Sequence, residues 1–71
     1  MIARLTKDTY IDLVPYFPYE ITRVFYDGHI KLQGSPRRYE SKYFDLNHDG
    51  KKITHEEAYE LYKEGLEVVE K

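Results

Sequence analysis

The chain contains no cysteine. No disulfide or thiolate metal site can supplement its core, and the redox compartment is left open. Tryptophan is also absent, while tyrosine occurs eight times and phenylalanine three times. The aromatic surface is therefore amphipathic, with apolar rings carrying polar tips, which suits half-buried positions and interfaces. No apolar run approaches the ~18 residues that would span a bilayer. The opening Met1–Asp8 lacks the apolar core of a secretory signal. The expectation is a cytoplasmic protein without a membrane partner. Catalytic vocabulary is thin. The only serines are Ser35 and Ser41, and neither Gly-x-Ser-x-Gly nor a phosphate-cradling glycine loop occurs. So short a chain has little room for a closed pocket, so no enzyme is expected. His29, His48 and His55 lack the paired spacing of a helical zinc site.

What is present is the composition of a folded chain: 41% hydrophobic and 15% aromatic over 71 residues. That length makes a single domain, 1–71, with a core so small that a homodimer or a partner complex is one open route to its stability, alongside the monomer. The net charge of −2 is unevenly spread. Residues 21–55 hold seven Lys/Arg against four Asp/Glu, whereas residues 56–71 hold six Glu against two Lys. A basic middle and an acidic end can attract each other or face different partners.

The end of the chain predicts a helix. Thr54 is a good N-cap and Glu57 follows three residues later, forming a capping box, with Ile53 and Ala58 placed as a hydrophobic staple. Ala58, Leu61, Tyr62, Gly65, Leu66 and Val69 recur at helical spacing and make the expected core stripe. Glu56, Glu60, Glu64 and Glu67 make the solvent stripe. Upstream, Ile21–Tyr26 and His29–Gln33 flank Asp27-Gly28, the signal of a two-residue hairpin turn. That turn pairs Val24 with Lys31 and Phe25 with Ile30. It places Ile21, Phe25, Ile30 and Leu32 under the helix, with Arg23 on the same face as the one exception to its apolar character.

Residues 38–46 read as strand or as helix. The strand is preferred because a lone hairpin needs a third strand. Phe44 and Leu46 then point inward, and Tyr39, Ser41 and Tyr43 point outward. Met1–Leu5 reads as a short strand and Lys7–Val14 as a short helix. Pro15 and Pro18 break regular structure around Tyr16-Phe17. Tyr10, Tyr16, Phe17 and Tyr19 are expected to cap one end of the core. The fold class is α+β: a small antiparallel sheet of about three strands packed against a C-terminal helix.

Two constellations carry candidate chemistry. In the first, Asp45, Asn47 and Asp49 alternate before Gly50, and Glu56 and Glu57 follow near the closing position. Oxygen ligands at that spacing, a glycine for the sharp turn and a late Glu can surround a hard cation. Residues 44–62 resemble an EF-hand calcium loop, with Glu56 closing it in strict register and Glu57 closing it if one residue is extra. The resemblance implies calcium as ligand. The same residues also read as a tight turn feeding the capping box. In that case no cofactor is bound.

In the second constellation, Tyr26, His29, Lys31, Tyr39 and Tyr43 share the outer sheet face, bordered by Arg38 and Lys42. Rings that stack and cations that meet phosphates suit nucleic acid, and exposed tyrosines equally suit a protein interface. Three strands followed by Thr54, Glu56, Glu57 and Ala58 at a helix start loosely resemble the AP2-type and integrase arm-binding DNA modules, which implies DNA read by the sheet. The leading expectation is a non-enzymatic protein-interaction module, a small regulator or inhibitor. Nucleic-acid binding and calcium binding are the alternatives.

Overall fold

The computed structural model describes the backbone of residues 1–70 and the side chains of residues 1–64. Six strands precede one helix: β1 (Ile2–Leu5), β2 (Tyr19–Val24), β3 (His29–Leu32), β4 (Arg38–Glu40), β5 (Phe44–His48), β6 (Lys51–Ile53) and α1 (His55–Glu70), with a single 3₁₀ turn at Ser41–Tyr43 between β4 and β5. All pairings are antiparallel, in the order β4-β3-β2-β1-β5-β6. The α+β class and the C-terminal helix are as the sequence reads. The sheet, however, has twice the expected strands, because short extended segments flank each turn and each finds a neighbour.

Strand β2 serves both halves of the sheet. Its first residues pair with β1 (Ala3 opposite Tyr19) and its last with β3 (Val24 opposite Ile30). A bulge lies between Ile21 and Arg23, where Thr22 is the extra residue. A bulge bends its strand and increases the local twist. It also explains why Ile21 and Val24, three apart, both point inward while Thr22 and Arg23 are exposed. The sheet curls far enough that Tyr39 on β4 meets Phe44 on β5, with ring centroids 6.1 Å apart, although three strands separate them in the order. Inside the curl lie Ala3, Leu5, Leu13, Ile21, Val24, Ile30, Leu32, Tyr39, Phe44, Leu46 and Ala58.

The first hairpin corrects the predicted register. Phe25 N–H donates to His29 O (2.9 Å) and Gly28 N–H to Phe25 O (3.3 Å), so the loop is Tyr26-Asp27-Gly28. Gly28 lies at φ +94°. A turn followed by a glycine with positive φ is the usual three-residue hairpin. Moving the register by one residue exchanges the faces. Val24 therefore fills the place expected for Phe25, and Phe25 stays half-buried on the outer side. The second Asp-Gly takes the two-residue form: Asp49 (φ +52°) and Gly50 (φ +79°) join β5 to β6, with His48 opposite Lys51.

Residues 38–46 form no continuous strand, because the 3₁₀ turn intervenes. Phe44 and Leu46 point inward as expected, but Tyr39 and Ser41 are buried rather than outward. The expected helix at Lys7–Val14 is also replaced by turns. So short a segment gains little from helical hydrogen bonds alone. Here Tyr10 and Leu13 turn into the curl instead. Tyr10 packs edge-on to Tyr39 (4.9 Å) and stacks near Phe44 (6.1 Å). Helix α1 starts as predicted: Thr54 N–H donates to Glu57 Oε1 (3.0 Å) and Glu57 N–H to Thr54 Oγ1 (3.2 Å). Ala58 is fully buried, whereas Leu61 and Tyr62 are half-buried. The packing of Gly65 and the side chains of Leu66, Glu67 and Val69 lie outside the described residues.

Candidate interaction surfaces

Loop 6–18 is tied to the curled sheet at both ends and in its middle. Thr6 N–H and Oγ1–H both donate to Tyr43 O (2.9 and 3.0 Å), and Tyr16 N–H donates to Leu5 O (2.9 Å). The buried Tyr39 hydroxyl donates to Asp12 Oδ2 (2.7 Å). Since Tyr39 has one proton and a carboxylate only accepts, Ser35 Oγ must donate the second bond to Tyr39 Oη (2.7 Å). This hydrogen bond from Tyr39, assisted by the Arg37 guanidinium at 3.3 Å, holds the Asp12 carboxyl below its usual range. Burial pushes the Tyr39 phenol up.

From this anchored loop, large apolar side chains project into solvent. Ile11 is 99% exposed, and Val14, Tyr16 and Phe17 are also exposed. Tyr16 sits at φ +64°, a conformation unfavourable for a side chain with a Cβ. Of the four aromatics expected to cap the core, only Tyr10 and Tyr19 pack against it. Tyr16 and Phe17 do not, because Pro15 and Pro18 hold the chain around them outside the curl.

The outer sheet face brings together part of the predicted set. Arg23, Lys31 and Arg38 stand opposite one another across β2, β3 and β4. The Arg38 guanidinium lies 4.1 Å from the Phe25 ring centre, and that of Arg23 lies 5.2 Å away. His29 sits beside Glu40 in register. Its Nδ1 is 3.1 Å from Asp27 Oδ1, close enough for a charge contact but outside hydrogen-bond geometry. This neighbour and the His29 backbone N–H (3.3 Å) hold the Asp27 carboxyl below its usual range. Tyr26 is 84% exposed at the hairpin tip. Lys42 pairs with Glu40 (3.5 Å), lies over the Tyr43 ring (5.2 Å), and has its pKa raised chiefly by Glu40. Tyr43 is half-buried against Tyr10. Tyr39 leaves the set, because at 0% exposure it can meet no partner. Arg23 and Phe25 join the set. The alternation around the two-residue turn assigned both to the inward side, and only the bulge and the longer loop turn them out.

The acidic constellation is distributed over separate elements. Asp45 and Asn47 lie on β5, Asp49 in the β5–β6 turn, and Glu56 and Glu57 on the first turn of α1. Asp45 pairs with Lys52 (3.3 Å), Asp49 with His48 (3.4 Å), and Glu57 caps the helix. Among the described residues, no three His, Asp or Glu side chains gather as a metal site. No helix of the described chain is long and apolar enough to cross a membrane. Comparison of the chain with family models, with curated proteins and with solved structures finds no match.

Proposed function

We propose that this domain is a non-enzymatic protein-interaction module, a small regulator or inhibitor, that docks through loop 6–18. The observation that carries this reading is the contrast within that loop. Its backbone and its inward residues Tyr10 and Leu13 are bound to the core, and the exposed Asp12 is tied to the buried Tyr39 hydroxyl, while Ile11, Val14, Tyr16 and Phe17 face water. Exposing these side chains forgoes roughly 1.5–3 kcal/mol for each one that could be fully buried. Exposed apolar side chains on an anchored loop are the usual form of an interface anchor, since little ordering remains to be done on binding. The left-handed Tyr16 adds to this support, as backbone strain of about 1–3 kcal/mol clusters at sites of recognition.

The test compares the parent with an Ile11→Ser/Phe17→Ser double variant. Ile11 is fully exposed, and Phe17 is half-exposed with its ring 4.9 Å from that of Tyr19, so the variant should stay folded and melt only slightly below the parent. The parent should retain a partner in affinity capture, or self-associate by light scattering, and the variant should lose that partner. Identical capture by both proteins, with no self-association of either, would overturn the assignment of the loop.

A further inference from the structure

We propose a second site on a different surface: the outer face of β2, β3 and β4 binds the phosphodiester backbone of single-stranded nucleic acid, with a base entering the cleft between β2 and α1. The starting point is the row Arg23, Lys31, Arg38, three cations directly opposite one another on adjacent strands. Like charges in that relation destabilise a sheet, and among the described residues none of the three has an ion pair. The nearby acids have closer partners, Asp27 with His29 and Glu40 with Lys42, although the Asp27 carboxylate also feels the Arg38 charge. The repulsion is thus relieved only in part within the chain, and an external anion would relieve the rest. The Phe25 ring, within cation–π distance of both guanidiniums, fixes where they stand. Arginine's planar fork is suited to bidentate phosphate contact. Strands lie roughly 4.8 Å apart, so the row spans about 10 Å, a distance covered by about four successive phosphates at ~3.4 Å rise along one strand.

A second observation separates nucleic acid from a merely acidic partner. Where the row ends at Arg23, a cleft of about 240 Å³ opens, lined by Arg23, Phe25, Tyr26, Tyr59, Tyr62 and Lys63. A peptide of acidic residues alone, such as polyglutamate, has no ring to place in such an aromatic cleft. A nucleobase stacks on these rings whatever its identity, so the strand would be held without strong sequence preference. Lys63 stands over Tyr59 at 5.1 Å and is shared with Glu60 at 3.5 Å, which places a cation at the cleft wall.

The experiment is fluorescence anisotropy of a labelled oligothymidylate of about 12 nucleotides, within the range that small single-strand-binding folds cover. Salt is varied, and the parent is set against Lys31→Ala, Arg38→Ala and Tyr26→Ala. The parent should bind at low salt, with the logarithm of affinity falling against that of salt with a slope of about −2 for three phosphates. Each cation variant should flatten the slope by about 0.7. Tyr26→Ala should weaken binding about fivefold or more with the slope unchanged, as loss of a stacking ring requires. No anisotropy change up to about 10⁻⁴ M protein at low salt would overturn the proposal. So would a polyglutamate peptide of equal charge that competes as well as the oligonucleotide. Because the variants leave loop 6–18 intact, failure here does not bear on docking through that loop.

Discussion

Replacing Tyr39 by Phe removes a single oxygen from the place inside the curled sheet where β4 meets β5. The ring is fully buried and would keep its packing against Tyr10 and Phe44. What is lost is the hydroxyl that donates to Asp12 and accepts from Ser35, both at 2.7 Å. A net hydrogen bond contributes about 0.5–1.5 kcal/mol, more when one partner is charged. Asp12 and Ser35 lie near the surface and can turn to water, so the low end applies and about 1–2 kcal/mol is expected. A domain of this size has roughly 4–10 kcal/mol in total, and each kcal/mol moves the melting temperature by about 4–8 °C. The variant should therefore melt about 5–15 °C below the parent at neutral pH.

The pH dependence follows from the sign of the Asp12 shift. Its folded pKa lies below the usual 3.8, first because of the Tyr39 hydrogen bond and then because of Arg37. A depressed carboxylate stabilises the fold fully above its unfolded pKa, and that contribution disappears as pH falls through the lower folded value. The gap between parent and variant should therefore be constant near neutrality and narrow below about pH 4. Circular dichroism melts in steps from about pH 7 to about pH 2 give both quantities. Equal melting temperatures at pH 7, or a gap that persists undiminished in acid, would refute the role given to this hydroxyl. Tyr39→Ala removes the ring as well, and its expected cost of about 3–5 kcal/mol is comparable to the whole stability.

Two further outcomes test the fold and the acidic turn. Leu5→Ala, at a fully buried site, should cost about 2–5 kcal/mol in urea unfolding, whereas Leu61→Ala should cost about 1 kcal/mol because Leu61 is half-buried and outside the core cluster; equal costs would mean that α1 packs on the sheet more deeply than described. Calcium titration followed by the Gly50 amide should show no saturation at micromolar ion, since Asp45 is paired with Lys52 and Glu57 is held by Thr54; saturation there, abolished by Asp45→Ala, would restore the calcium reading.

The helix was legible from Thr54 and Glu57 alone, because a capping box is satisfied by residues three apart and asks nothing of the rest of the chain. The inward direction of Phe44 and Leu46 followed from alternation, which is equally local. The β1 strand and the irregular Pro15–Pro18 segment were legible for similar reasons. The candidate sites were legible only in part: the basic and aromatic residues near 23–43 were visible as composition, but not which of them share a surface.

Tertiary structure decided the remainder. Asp27-Gly28 and Asp49-Gly50 are the same dipeptide, yet one closes a three-residue loop and the other a two-residue turn. The choice follows from which neighbouring strand register buries more apolar surface, and no residue beside the turn encodes it. That one-residue difference, with the bulge at Thr22, moves Val24 inward and turns Arg23 and Phe25 out. Tyr39 alternates as an outward residue and is buried because the curl of the whole sheet carries β4 round to β5. Tyr16 and Phe17 read as a cap on the core, and only the packed chain shows that they stay outside it. Capping and alternation are short-range, and the sequence by itself determined them. Register, curvature and the boundary of the core are cooperative properties of the packed chain, and those only the tertiary structure decided.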